Sequence, residues 1–94
     1  MIKIITERAI PPGFDTSDEE QVRRHCRIAV DAMAAQGMHW ICSYVTQDKL
    51  FGVVVVEDEA ALKRYQDAAG MQGQKIVVHR VARVIDASLA ADRA

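Results

Sequence analysis

The fold turns on Met38-His39-Trp40-Ile41-Cys42-Ser43-Tyr44-Val45-Thr46-Gln47-Asp48-Lys49-Leu50-Phe51-Gly52-Val53-Val54-Val55-Val56. Two runs rich in β-branched and aromatic residues flank Gln47-Asp48, so the pattern predicts strands over 38–46 and 49–56 joined by a tight turn. A two-residue turn sets Tyr44 opposite Phe51, Cys42 opposite Val53 and Trp40 opposite Val55. One face then carries Trp40, Cys42, Tyr44, Phe51, Val53 and Val55. The other carries His39, Ile41, Ser43, Val45, Leu50, Val54 and Val56. Both faces are mostly apolar, whereas an antiparallel sheet with one wet face shows polar residues on that face.

Outward from the hairpin, residues 2–9 alternate, with Ile2, Ile4 and Thr6 on one side and Lys3, Ile5 and Glu7 on the other. This is a first strand, stopped by Pro11-Pro12-Gly13. Ser17 and Glu20 fit a capping box that opens a helix over about 18–36, with Gly37 as its left-handed stop and Val22, Cys26, Ala29 and Met33 as its buried stripe. Asp58 is placed to cap a second helix over about 59–69, ended by Gly70, with Ala61, Leu62, Tyr65, Ala68 and Ala69 inward. A last strand is expected over 75–85.

The order is β-α-β-β-α-β, an α+β domain with a four-stranded antiparallel sheet and two helices on one face. Residues 1–86 are expected to form this single domain and residues 87–94 an alanine-rich tail. Two helices cover one side of the sheet. The other side, on the order of several hundred Å², is more apolar surface than a monomer usually exposes. A homodimer with the sheets face to face covers it most simply. The alternative is that the tail folds over it.

The 94 residues include 12 basic and 13 acidic side chains, for a net charge of −1. That balance gives no electrostatic case for nucleic acid or an anionic membrane as partner. Charges interrupt the first residues, and Val53–Val56 is the longest apolar run, so neither a leader peptide nor a membrane span is expected. Cys26 and Cys42 form no CxxC pair and are expected to be free thiols of a cytoplasmic protein.

No phosphate loop, dinucleotide fingerprint or nucleophile elbow is present, so no organic cofactor is expected. No two histidines stand at i,i+4, so any metal site has to be assembled across elements. Glu7 on the first strand is a candidate ligand or general base. It also reads as a strand-end carboxylate facing water or paired with an arginine. Tyr44 and Tyr65 are candidate proton donors or ligands, and equally core rings with the hydroxyl at the rim. His39 and His79 are candidate imidazole ligands on strands. His25 and Cys26 diverge on their helix, so they make no catalytic pair, and Cys26 and Cys42 read as core fillers. Arg80 and Arg83 can bind a carboxylate or stand solvated.

Glu7-Arg8, Trp40-Ile41-Cys42-Ser43-Tyr44-Val45 with Asp48-Lys49, Glu59-Ala60-Ala61-Leu62 and Val84-Ile85-Asp86 together resemble the DUF4242 family of small nickel-binding, ferredoxin-like proteins. The resemblance runs from Lys3 to Asp86. It implies a ferredoxin-like fold, self-association and nickel or another divalent transition metal, and it carries over best at Glu7 and Tyr44; with His39 these are the leading candidate metal ligands. It departs at Tyr65, where relatives often carry histidine, at Arg80, where an acidic residue is common, and at Ala87, where proline is common. Two other functions stand beside metal binding. One is a cofactor-free isomerase or oxygenase with a sheet–helix pocket, Glu7 as base and Tyr44 or Tyr65 as acid. The other is a module that only assembles.

Overall fold

The computed structural model describes residues 1–69 and 73–92. Strand β1 (Ile2–Ala9) is followed by helix α1 (Glu19–Ala34), the hairpin β2 (Met38–Val45) and β3 (Lys49–Val56), helix α2 (Ala61–Ala68) and strand β4 (Val77–Arg80). A 3-10 turn spans Ala87–Asp92. The sheet order is β2-β3-β1-β4 with every pairing antiparallel. The architecture is therefore the expected ferredoxin-like α+β layer.

The core forms where the apolar alternation of the strands meets the helices. Ile4, Met38, Val54, Val56 and Ala61 are buried together, with Ile2, Met33, Trp40, Leu62 and Tyr65 packed around them. Gly52 lies in the middle of β3 on this covered face, where an added Cβ would stand 2.7 Å from Thr6 Oγ1. Helix α1 ends at Ala34 with Ala35 as its cap, two residues before the expected stop, and Gly37, with φ +77°, turns the chain into β2.

Four sequence expectations are corrected in detail. The cap of α1 is Asp18, whose carboxylate accepts from Gln21 N–H, while the Ser17 hydroxyl donates to Asp15 instead. Helix α2 is shorter than predicted at both described ends, because Asp58 receives the Ala60 N–H in a turn before the helix starts. The predicted stop at Gly70 lies outside the described residues. Strand β4 holds only four residues, and the last ladder bond beyond it runs from Val81 N–H to Lys3 O. Residues 82–91 are exposed throughout, with Val84 and Ile85 at 55% and 73%, so the described part of the tail does not form a buried layer over the sheet.

The most consequential correction concerns β2. The register shifts between Trp40 and Cys42, so Trp40 pairs with Val54 and His39 with Val55. A bulge adds one residue and turns every side chain before it to the opposite face. Trp40 thus joins the covered face, where its indole N–H donates to Ser43 Oγ at 3.0 Å. His39 moves to the open face, and Ile41, the extra residue, is exposed.

Candidate functional site

The open face of the sheet is built by alternation. Ladder partners share a face, so Glu7, Phe51 and Val77 stand abreast, as do Ile5, Val53, Cys42 and His79 along neighbouring rows. Glu7 occupies the second-to-last row of β1, between the start of β3 and the start of β4. Its Oε2 accepts from Lys49 Nζ at 2.8 Å, and its Oε1 lies 3.3 Å from His79 Nε2. The carboxylate is the best shielded of the three, at 24% side-chain exposure against 47% for Lys49 and 54% for His79. The Lys49 hydrogen bond, then the His79 contact, hold the Glu7 carboxyl below its ordinary value, and Glu7 in turn pushes the Lys49 ammonium up.

The other two expected ligands stand elsewhere. His39 lies at the opposite end of the sheet, with its Nε2 3.5 Å from Glu57 Oε1. Four residues of β3 separate the Phe51 and Val55 rows, which puts His39 about 13 Å along the strand from Glu7. Tyr44 shares the Phe51 row with Glu7 but sits two strands away, about 10 Å, and is 65% exposed. Within one chain Glu7, His39 and Tyr44 therefore form no common site, because ladder register spreads them across the face. Among the described residues no group of three His, Cys, Asp or Glu side chains is gathered closely enough to hold a metal.

The pair that does form is Glu7 with His79. Its signal was present in the sequence as two alternating strands, but which strand lies beside β1 is a matter of topology. As a donor set, one carboxylate oxygen and one imidazole nitrogen suit nickel or zinc. Two ligands at about 2.1 Å from one ion and at right angles are about 3 Å apart, close to the 3.3 Å observed. The set fits in kind and supplies two donors per chain.

The covered side carries a second feature. A hollow of about 300 Å³ opens between α1 and the sheet, with Arg8, His25, Trp40, Met33, Leu50 and Tyr65 among its walls. Glu7 is not among them, since alternation in β1 directs Arg8 inward and Glu7 outward. The expected enzyme pocket with Glu7 as its base is thereby corrected: Tyr65 lines the hollow, Glu7 and Tyr44 stand on the far face, and the Glu7 carboxyl is pushed down rather than up. Burial, then the nearby Arg8 charge, push the His25 imidazole down, and its ring packs edge-on against Phe14 at 4.8 Å. Arg80 is taken up by Glu59 at 2.6 Å. Cys26 and Cys42 are both free thiols, and no helix among the described residues is long and apolar enough to cross a membrane.

A four-stranded antiparallel sheet with two helices on one side and an ion-paired carboxylate on the other defines a small ferredoxin-like α+β protein. The chain belongs to the SCO4226-like family, described as nickel responsive protein SCO4226-like, whose profile matches residues 5–78. A crystal structure of an antibiotic biosynthesis monooxygenase is similar in fold, with a TM-score of 0.50 and 17% identity over 90% of this chain and 100% of that one. At that identity the likeness speaks to the fold alone. No curated protein matches the chain.

Proposed function

We propose that this chain is a cytoplasmic nickel-responsive protein whose metal is held by Glu7 and His79 on the open sheet face, in a homodimer that pairs through that face. The observation that carries the reading is the 3.3 Å approach of Glu7 Oε1 to His79 Nε2. The nickel-responsive description of the family and the resemblance to the DUF4242 proteins both support it.

The chemistry of the two donors follows from their present partners. A neutral His79 that donates from Nε2 to Glu7 carries its proton on the nitrogen that would face the metal. Binding therefore moves that proton to Nδ1 or to water. Lys49 has to give up Glu7 Oε2, since a cation beside the site opposes a second one. Glu7 is already ionised well below neutral pH, so it costs no deprotonation there.

Apolar neighbours argue for the homodimer. Ile5, Phe51, Val53, Val55 and Val77 surround the Glu7 row, and Val77 is 39% exposed. The four strands present a footprint of roughly 20 × 26 Å, on the scale of one side of a modest protein interface. A facing copy brings further donors and water-excluding surface to the pair.

Calorimetric titration of nickel into the protein tests this. Saturable binding is expected, weakened at least about tenfold in His79→Ala and in Glu7→Gln, and tightened a few-fold in Lys49→Met. Affinity unchanged in both ligand variants contradicts the assignment.

A further inference from the structure

The hollow on the covered side holds a charge that the fold does not neutralise. Arg8 belongs to the inward series Ile2, Ile4, Thr6 and Arg8 of β1, so its guanidinium enters the layer between sheet and helices. Its guanidinium donates to a neutral group, Gln74 Oε1 at 3.1 Å, in an exposed contact on the side of the neighbouring hollow. Among the described residues Arg8 has no carboxylate partner, as is also true of Arg24 and Arg83, but of these only Arg8 lines a hollow. A guanidinium at the rim of an apolar hollow can take an anion there, and its planar fork donates two parallel hydrogen bonds to a carboxylate.

The walls around it are apolar and ringed by aromatics. Met33 and Leu50 face the hollow beside the Trp40 indole, whose N–H is already spent on Ser43. Tyr65 from α2 and His25 from α1 line it with Arg8, and these three also border the neighbouring hollow beneath α1. A volume of about 300 Å³ equals about ten water molecules at ~30 Å³ each, at the small end of ligand pockets.

We propose that this hollow binds a small organic monocarboxylate with an apolar body, about ten non-hydrogen atoms in all, its carboxylate on the Arg8 guanidinium and its body against Trp40, Met33 and Leu50. The site lies on the opposite side of the sheet from Glu7 and His79, so it stands or falls independently of the nickel reading.

Trp40 is the sole tryptophan, which makes its emission a direct reporter. The test titrates cyclohexanecarboxylate, which does not absorb where tryptophan does, and its uncharged counterpart cyclohexylmethanol. A saturable change in Trp40 emission with the acid is expected, with the alcohol at least about tenfold weaker and the acid weakened to a similar degree in Arg8→Gln. The acid-to-alcohol comparison uses the unaltered protein, so it decides the matter even if the variant folds poorly. Equal affinity for acid and alcohol, no saturable response at millimolar concentrations, or an undiminished affinity in a folded Arg8→Gln overturns the proposal.

Discussion

Glu7 is the residue on which the open-face account rests, and its pairing has a pH signature. Its carboxyl lies below its ordinary value of 4.5 because Lys49 and then His79 favour the ionised form. A carboxylate lowered in the folded state contributes stability that is complete above the ordinary range and is lost as pH falls through the folded-state value. Glu7→Gln is therefore expected to lower the melting temperature at pH 7 and to melt together with the unaltered protein at acid pH once the lowered carboxyl is protonated. Melting curves across that range check it, and a gap that persists at the acid end contradicts it. The alternation of β1 made it legible that Glu7 shares a face with Ile5, but not which face the helices cover. Lys49 and His79 as its partners were not legible, because they lie 42 and 72 residues away and meet it only through strand order. Arg8 falls on the opposite face of β1 from Glu7, and its place in the covered layer follows only once the helices are in position. An arginine ending a strand looks solvated until the helix over it is known.

At the scale of elements, the hairpin shows both what patterning supplies and where it stops. Its strands, its turn and the pairs Tyr44–Phe51 and Cys42–Val53 follow from sequence alone. The bulge between Trp40 and Cys42 does not, because residues 38–45 are apolar on both sides and tolerate either register. What selects the bulge is the seat it gives Trp40 in the covered layer with Ser43 as hydrogen-bond acceptor. Gly52 completes that layer opposite Thr6 of β1. Gly52→Ala places a Cβ 2.7 Å from the stiff, β-branched Thr6 side chain. It is expected to cost about 1–3 kcal/mol in denaturant unfolding. A neutral result shows that the two strands separate readily.

On the scale of the whole molecule, the distribution of apolar surface decides the assembly. One side of the sheet is sheltered by α1 and α2, and the tail does not shelter the other. The radius of gyration of 14.9 Å exceeds the about 12 Å of a compact chain this long, and beyond β4 Val84 and Ile85 are exposed at 55% and 73%. A charge at the centre of the open face, Val53→Asp, is expected to convert a sedimenting dimer into a folded monomer. A variant that still sediments as a dimer, or an unaltered protein that is a monomer at high concentration, removes the facing-sheet assembly.

The three histidines mark three separate places: His79 beside Glu7, His39 beside Glu57 at the far end of the same face, and His25 in the helix-side hollow. Nickel is paramagnetic and broadens the resonances of the imidazole it touches, so substoichiometric nickel followed by NMR of the three histidine rings locates the metal directly. The His79 ring is predicted to broaden first, while His39 and His25 stay sharp. Early broadening of His39 or His25, or three rings left untouched by excess nickel, contradicts the assignment of the metal to Glu7 and His79.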